Sequence, residues 1–330
     1  MPITVALAGD TMLGRGVAEG ITPSANVDSL FSGELRAALA EADFFLLNLE
    51  CCVSARGERW KAPGKPFHFR APPRAAELLA ELGVGCVTLA NNHALDYGYT
   101  ALRDTREHLA RAGISCVGAG ENLDEARRPV QVEVNGLRLG VVAFSDHPDD
   151  FAATADRPGI AFADLGTGVP AWLPATVGAL RRRADAVLVT PHWGPNMTRE
   201  PPPAVLTAAR TLVEAGATLV AGHSAHVFHG VAPPVLFDLG DFIDDYLRDP
   251  CLRNDLGLLW RVTLDDGVPV RLSALPIKLD YSFTRPATGD DRRWIRDRLT
   301  SACARFGTAV HDDEGGLTME FPRADRRERP

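Results

Sequence analysis

Short apolar runs rich in β-branched residues alternate along this chain with amphipathic stretches. Residues 3–8 (ITVALA) and 43–48 (DFFLLN) are typical of buried strands, whereas the apolar positions of 72–82 recur at helical spacing after a proline pair. The alternation continues to a helix predicted at 291–305. Alternating strands and helices indicate a layered α/β fold, and this pattern limits the possible folds more than any other feature.

The remaining elements follow the same pattern. Two hairpins are predicted, at 130–144 around Asn135-Gly136 and at 258–276 around Asp265-Asp266-Gly267, because such sequences favour tight turns with positive φ. Further helices are predicted at 100–112, 173–183 and 203–215, and further strands at GVGCVTLA, ISCVGA, ADAVLVT, ATLVA and PPVLFDLGD. The proline- and glycine-rich segment 156–174 is a candidate linker, predicted as a surface excursion over the site, and the charged end ADRRERP is predicted to fray.

Length and charge narrow the class of protein. The chain has 330 residues, which suits one large α/β domain or two smaller ones. We predict a single domain over 1–330, with a hairpin, a helix and a tail in 247–330. The formal net charge of −8 argues against a nucleic-acid partner, which needs a basic surface, and against docking on anionic membrane lipid.

The cysteines and the N-terminus bear on the compartment. None of the six cysteines forms a CxxC pair, Cys51 and Cys52 are adjacent, and several lie in apolar runs, so we predict reduced thiols. The start MPITVALAGD does not resemble a secretory signal, and no apolar run reaches the roughly 18 residues of a membrane span. A cytoplasmic protein is predicted.

Side chains able to bind a metal follow the predicted strands. They are Asp10, Glu50, Asn92, His93, His192, His223 and His226. Strand ends gather along one edge of a layered sheet, so distant residues can meet there. Taken singly, Asp10 also fits a helix cap, Asn91-Asn92-His93 a polar turn, and His192 a core histidine. Together, carboxylates, an amide and imidazoles suit first-row divalent ions, and the set favours a metal site.

Eight segments resemble those of a known protein family and occur in the same order along the chain. They are GDTMLGRG (9–16), NLE (48–50), KPFHFRAPP (65–73), ANNHALDYG (90–98), CVGAG (116–120), HWGPN (192–196), GHSAHVFHGV (222–231) and VLFDLGDFIDD (235–245). They resemble the CapA family of capsule and poly-γ-glutamate synthesis, within the calcineurin-like metallophosphatase superfamily. The resemblance covers residues 1–246 and implies a four-layer α-β-β-α sandwich with two sheets between helices.

The resemblance also implies ligands for divalent ions such as manganese, zinc, iron or calcium. Asp10 and His226 would hold the first metal, and Glu50 would bridge. The second metal would be held by Asn92, His192 and His223. His93 would be the acid/base residue, with Asp96 orienting its imidazole.

Three departures from the family pattern are visible. Superfamily members typically open with Asp-x-His, whereas Thr11 and Met12 follow Asp10 here, so one imidazole is missing. We therefore expect one firm metal and a second that is loose or absent. GHSAH stands where the family more often has GHHPH, and LGDF replaces the usual LGNF, which adds the carboxylate of Asp241 near the site.

A peptide or a small anionic molecule is the expected substrate. Arg15 and Lys65 are predicted to contact an anionic group, Trp193 to form a pocket wall and Asp241 to lie beside the substrate. For Arg15 a structural ion pair is an equally good interpretation, and for Lys65 a solvated loop is the alternative.

Three functions stay open from the sequence. The first is hydrolysis or transfer at an amide or phosphoryl centre. The second is epimerisation of the C-terminal residue of a ribosomal peptide precursor, as in CapA-like proteins of natural-product pathways. His93 would serve one face of the α-carbon, and Asp10, Asp241 or a metal-bound water the other. The third is a non-catalytic metal-binding module.

Overall fold

The computed structural model describes residues 1–313 and 315–321. Its strands are β1 (Ile3–Thr11), β2 (Phe44–Leu49), β3 (Cys52–Val53), β4 (Arg70–Ala71), β5 (Cys86–Thr88), β6 (Ser115–Val117), β7 (Ala119–Gly120), β8 (Val130–Val134), β9 (Leu137–Ser145), β10 (Gly159–Ile160), β11 (Ala186–His192), β12 (Leu219–Ala221), β13 (Val231–Ala232), β14 (Val235–Leu236), β15 (Asp241–Ile243), β16 (Leu256–Asp265), β17 (Val268–Asp280), β18 (Phe283–Pro286), β19 (His311–Asp313) and β20 (Gly316–Glu320). Its α-helices are α1 (Arg15–Gly20), α2 (Gly33–Ala40), α3 (Arg74–Glu81), α4 (Gly98–Arg111), α5 (Leu123–Ala126), α6 (Trp172–Arg181), α7 (Pro203–Glu214) and α8 (Gly289–Ala304).

Two mixed sheets carry the fold. The larger runs β19-β20-β17-β16-β1-β2-β5-β6, with β15 also paired to β1 and β18 to β17. The smaller runs β13-β14-β12-β11-β9-β8. Strands β1, β2, β5 and β6 are mutually parallel in the larger sheet, as are β9, β11, β12 and β14 in the smaller. Each sheet therefore presents a row of strand carboxyl ends along one edge.

The two sheets face each other across an apolar layer. Val5 and Leu7 of β1 lie in that layer with Leu139 and Val141 of β9. The intervening β1 residues, such as Ala6, point the other way, because successive side chains of a strand alternate between faces. The inner layer is therefore built from one face of each sheet.

Helices cover both outer faces. Val17 of α1, Leu35 of α2 and Leu102 of α4 pack with Ala6 on the outer face of the larger sheet. Leu173 and Val177 of α6, and Leu212 of α7, pack with Val187 and Val189 of β11 on the outer face of the smaller sheet. The predicted four-layer α-β-β-α sandwich is confirmed.

Both predicted hairpins are present. The β8–β9 turn places Asn135 at φ 48° and Gly136 at φ 84°, and the β16–β17 turn places Asp266 at φ 48° and Gly267 at φ 76°. β16 pairs antiparallel with β1, so the C-terminal hairpin belongs to the same sheet as the N-terminal strand. The single domain over 1–330 includes residues outside the described ranges and stays a prediction, as does the tail 324–330, which lies outside them.

The single strand predicted at 233–241 is wrong. β14 ends at Leu236 in the smaller sheet, and β15 begins at Asp241 in the larger sheet. Between them, the Asp238 carboxylate accepts N–H bonds from Ala225 (2.8 Å) and Gly240 (2.9 Å), and Gly240 adopts φ 79°. The Asp238 carboxylate thus accepts hydrogen bonds from backbone N–H groups in place of a neighbouring strand. The strand is interrupted there, and the chain crosses from one sheet to the other.

The surface excursion predicted at 156–174 is wrong for its central part. Gly159–Ile160 forms β10, which pairs with β7, and Ile160 and Ala161 are fully buried. A Cβ at position 159 would lie 2.4 Å from the Phe151 carbonyl oxygen, so only glycine permits this close approach. All six cysteines are free. None of the helices in the described ranges is long and apolar enough to cross a membrane.

Candidate metal centre

The predicted ligands meet where strand ends of the two sheets come together. Asp10 ends β1, Glu50 follows β2, and Asn92 and His93 follow β5 in the larger sheet. The smaller sheet supplies His192 at the end of β11, and His223 and His226 after β12. All of these residues are buried except Asn92, which is partly buried.

Asp10 lies at the middle of the cluster. Its Oδ1 accepts a 2.7 Å bond from the Asn48 amide, and its Oδ2 accepts a 3.2 Å bond from the Ser224 backbone N–H. His226 Nδ1 is 3.3 Å from Oδ2, and His223 Nδ1 is 3.7 Å from Oδ1. Asp10 therefore contacts residues of both sheets. The helix-cap interpretation of Asp10 is wrong, because the N-cap of α1 is Gly14.

Glu50 and His192 form the second part of the cluster. Both are fully buried, and His192 Nδ1 lies 3.5 Å from Glu50 Oε1. Burial raises the pKa of Glu50 well above its usual value, and the charge of Asp10 raises it further. Burial also lowers the pKa of His192 well below its usual value, and the neighbouring imidazole of His147 lowers it further. His192 is thus a neutral imidazole at pH 7, the form that binds metals.

His223 is held by a single side-chain hydrogen bond. Its Nε2 lies 2.8 Å from Thr190 Oγ1, and burial lowers its pKa to about 4. When Nε2 carries the proton and donates to the threonine, Nδ1 presents a lone pair toward Asp10. This arrangement is the usual way in which a second partner fixes the tautomer of a ligating histidine.

His226 belongs to a strained loop. It adopts φ 58° and Ser224 adopts φ 112°, both unusual for non-glycine residues. The loop is held by backbone N–H bonds from Ser224 to Asp10 and from Ala225 to Asp238. Burial lowers the pKa of His226, but the nearby carboxylates, led by Glu50, outweigh this effect and the net pKa is raised.

His93 and Asp96 form a buried pair beside this cluster. His93 Nδ1 lies 2.6 Å from Asp96 Oδ2, which also accepts a 2.6 Å bond from the Phe69 backbone N–H. The Lys65 ammonium is 2.8 Å from Asp96 Oδ1 and donates to the Asn92 carbonyl oxygen at 2.8 Å. Burial lowers the pKa of His93, and the Asp96 carboxylate opposes that effect. The predicted orienting contact between Asp96 and His93 is present in the structure.

Unpartnered polar atoms show that the residues fit a metal. Among the described residues, these buried atoms have no hydrogen-bond partner: Glu50 Oε1 and Oε2, Asn92 Oδ1, His192 Nε2, His223 Nδ1 and Asp241 Oδ2. Buried polar groups in native proteins almost always have partners, so such a concentration needs an explanation. Two groups of side chains here, Asp10–Glu50–His192 and Asp10–His226–Asp241, have ligand atoms within 4.8 Å of one another. A divalent cation would satisfy them.

The residues predicted to bind substrate are placed differently from one another. Arg15 is ion-paired with Asp245, and its guanidinium lies 5.2 Å from the centre of the Phe69 ring. Lys65 is ion-paired with Asp96, so the side chains of Arg15 and Lys65 both already have carboxylate partners. Trp193 is buried in the outer layer of the smaller sheet and donates its indole N–H to the Phe237 carbonyl oxygen. Its position gives no support to a substrate contact.

The sequence interpretation missed several residues that contact the cluster. Asn48 bonds Asp10 and also accepts a 2.9 Å bond from the Asn91 amide, and Thr190 contacts His223. The Asp146–His147 pair follows β9, with the His147 ring 5.1 Å from the His192 ring. The sequence signal for this pair is its position directly after the second strand of a predicted hairpin.

Two facing sheets between helices, with a carboxylate and imidazole centre at the strand ends, define a metallophosphatase-like protein. The family model described as "Bacterial capsule synthesis protein PGA_cap" matches residues 4–246. The chain belongs to this family, whose members include the CapA proteins.

Three relatives illustrate the range of similarity. A probable polyglutamine synthesis accessory protein of Mycobacterium tuberculosis is 33% identical, over 98% of this chain and 97% of its own length. The PGA biosynthesis protein CapA of Bacillus subtilis is 28% identical, over 98% of this chain and 84% of its own. The capsule biosynthesis protein CapA of Bacillus anthracis is 28% identical, over 90% and 73% respectively.

Proposed function

We propose that this chain is a metal-dependent acid–base enzyme that acts on a peptide or another amide-linked substrate. The observation that carries the proposal is the His93–Asp96 pair beside a cluster of buried, unpartnered ligand atoms. A purely structural cluster would have its polar atoms satisfied by one another. Here the unpartnered atoms are carboxylate, amide and imidazole atoms, which are the types that ligate divalent ions.

His93 is the residue proposed to move a proton. Asp96 holds Nδ1, which leaves Nε2 to face a substrate, and Asp96 is itself fixed by Lys65 and the Phe69 backbone. Burial lowers the pKa of His93 below its ordinary value although the Asp96 carboxylate opposes the shift, so the neutral imidazole, which can accept a proton, is favoured near pH 7. A positioned histidine of this kind contributes roughly 10²- to 10⁴-fold to a reaction rate.

The proposed metal ligands are Asp10, Glu50, Asn92, His192, His223 and His226. A bound divalent ion supplies Lewis acidity that polarises a carbonyl or phosphoryl oxygen. The chain's own residues orient the substrate, exclude water from the buried centre and hold the proton at His93. Manganese, zinc, iron and calcium are the candidate ions.

The substrate class is proposed from the relatives and from the rim of the site. Relatives are named for PGA and capsule biosynthesis, which suggests an amide-linked acidic polymer or a related peptide. At the rim, Phe67 is 55% exposed and stacks on Phe69, whose ring centre is 4.2 Å from that of His93. Two stacked aromatic rings, one of them exposed and the other in contact with the acid/base residue, suit a peptide better than a small phosphate ester.

A second candidate is epimerisation of a peptide's C-terminal residue. The Phe69 ring packs against His93 at 4.2 Å, the Tyr246 ring packs against His226 at 5.4 Å, and the two aromatic rings are 5.8 Å apart. The aromatic pair therefore lies between His93, the proposed base on one face of the α-carbon, and the ligand cluster, which would have to supply the proton carrier for the other face. Incubation with a peptide precursor in D₂O would incorporate deuterium at the α-carbon. No incorporation by an active preparation would exclude epimerisation of that precursor.

The test of acid–base catalysis compares His93→Gln with His108→Gln, a partly buried histidine on α4. Metal content and turnover would be measured on poly-γ-glutamate, on peptide amides and on a phosphate monoester. We expect His93→Gln to keep its metal and to lose about 10²-fold or more of the activity, while the control keeps both. Full activity in His93→Gln would contradict the proposal and favour the non-catalytic metal-binding module.

A further inference from the structure

We propose that Asp241 is a direct ligand of the divalent cation at the position of Asp10 and His226, and that this position takes a hard, oxygen-preferring ion. The inference rests on the proposed metal-dependent function and deepens it. It replaces the expectation, drawn from the missing imidazole after Asp10, that one of the two metals is loose or absent.

The backbone brings Asp241 to this position. β15 pairs parallel with β1, and Asp241 is the register partner of Asp10, with the Asp10 N–H donating to the Gly240 carbonyl oxygen at 2.9 Å. A Cβ on Gly9 would lie 1.7 Å from that same oxygen. Glycine at position 9 is therefore required for the close approach that sets the two carboxylates side by side.

Distances between ligand atoms fit a shared ion. His226 Nδ1 is 2.8 Å from Asp241 Oδ1 and 3.3 Å from Asp10 Oδ2. Atoms bound at about 2.1 Å to one octahedral ion lie about 3 Å apart. Asp241 Oδ2 is buried and accepts no hydrogen bond from a nitrogen or hydroxyl donor among the described residues. The neighbouring Asp244 carboxyl can bond it only when one of the two is protonated, so with both ionised this oxygen is available to a cation.

The concentration of buried carboxylates around this position also favours a bound cation. Five carboxyl groups are buried near His226, those of Asp10, Glu50, Asp238, Asp241 and Asp244. Within the described ranges, no lysine or arginine forms an ion pair with any of them. Buried charges are normally paired or bound to metal, and one imidazole, that of His226, is too little to balance five carboxylates.

The two positions differ in chemistry. Two carboxylates and one imidazole meet at Asp10, His226 and Asp241. The other group, Asp10, Glu50 and His192, gains a second imidazole from His223, whose Nδ1 lies 3.7 Å from Asp10 Oδ1. Carboxylate oxygen suits manganese, magnesium and calcium, and imidazole suits zinc and iron. The geometry therefore points to manganese binding at the Asp241 position, even when zinc occupies the imidazole-rich position.

The experiment titrates manganese into metal-free protein and counts bound ions by electron paramagnetic resonance, without an activity assay. Wild type, Asp241→Asn, Asp241→Ala and a remote control, Asp104→Asn, would be compared after far-ultraviolet circular dichroism has shown each to be folded. Asp241→Asn keeps the shape and a hydrogen-bond acceptor for His226 but loses the charge.

We expect two manganese ions in the wild type and the control. In Asp241→Asn and Asp241→Ala one of the two should bind at least about tenfold more weakly. One equivalent of zinc, added first, should leave one manganese site in the wild type. Unchanged manganese affinities in Asp241→Asn, or a single ion in the wild type, would overturn this inference while leaving the proposed function intact. No ion in the wild type would overturn both.

Discussion

His93 Nδ1 lies 2.6 Å from Asp96 Oδ2, and the same carboxylate is 2.8 Å from the Lys65 ammonium through its other oxygen. One buried carboxylate therefore couples an imidazole to a cation. The cation and the carboxylate shift the pKa of His93 in opposite directions, so substitutions at the two positions have opposite and measurable effects.

Asp96→Asn should lower the pKa of His93. The asparagine removes the negative charge that favours the protonated imidazole, while burial continues to favour the neutral form. We expect activity to fall by about tenfold or more and the acidic limb of the kcat/KM profile to move to lower pH. Asp104→Asn, which alters a buried carboxylate bound by Arg56 and Ser54, should leave the limb in place.

Lys65→Met should have the opposite effect on His93. Removing the ammonium leaves Asp96 without its counter-ion, which favours the protonated imidazole and raises the pKa of His93. The acidic limb of the pH profile should then move to higher pH. The control is Lys61→Met, at an exposed lysine of the same loop. A rise in KM with an unmoved limb would instead assign Lys65 to substrate binding.

Thr190→Val should weaken metal binding without unfolding the protein. The substitution removes the hydroxyl that fixes the His223 tautomer at 2.8 Å, and it preserves the side-chain volume. Loss of such a partner typically costs about 10- to 100-fold in metal affinity. Isothermal titration with zinc would measure the change, beside Thr105→Val at another buried threonine. Equal affinities in wild type and Thr190→Val would contradict the role assigned to Thr190.

His229→Gln should make the metal-free protein more resistant to acid. Burial lowers the pKa of His229 to about 4, and its Nε2 donates to the Thr198 carbonyl oxygen, a bond that glutamine can also make. The unfolded chain takes up a proton near pH 6.5 and the folded one only near 4, so stability is lost as pH falls through this window.

The expected effect at His229 is at most about 3 kcal/mol between pH 7 and pH 4. Guanidinium unfolding at several pH values would measure it, as the difference in pH dependence between wild type and His229→Gln. Identical pH dependence in the two proteins would show that His229 does not titrate in this way. Metal content should not change, because His229 lies outside both groups of candidate ligands.

The sequence predicts much of the fold because most elements have a clear local period. The alternation within β1 assigns Val5 to the inner layer and Ala6 to the outer one. The turn at Asn135-Gly136 is predictable because both of its residues adopt positive φ, which asparagine and glycine tolerate. The break at Phe237–Gly240 could not be predicted from period. It depends on Asp238 accepting N–H bonds from Ala225 and Gly240, and one of these donors is in a distant segment.

The candidate centre was predictable in composition but not in arrangement. Strand ends identified Asp10, Glu50 and His192, because parallel strands place their carboxyl ends together. Neither the role of Asp241 nor that of Thr190 follows from such a rule. Asp241 lies beside Asp10 because the chain passes from the smaller sheet to the larger one between β14 and β15. Thr190 lies in β11 and contacts His223, which follows the neighbouring strand β12.

Metal content tests the central claim most directly. The protein would be purified without a histidine tag, reconstituted with manganese, zinc or calcium, and measured by plasma mass spectrometry beside His223→Ala and His229→Gln. We expect at least one bound ion per chain in the wild type, loss of an ion in His223→Ala, and no loss in His229→Gln. A wild-type protein that retains no metal after any reconstitution would contradict it.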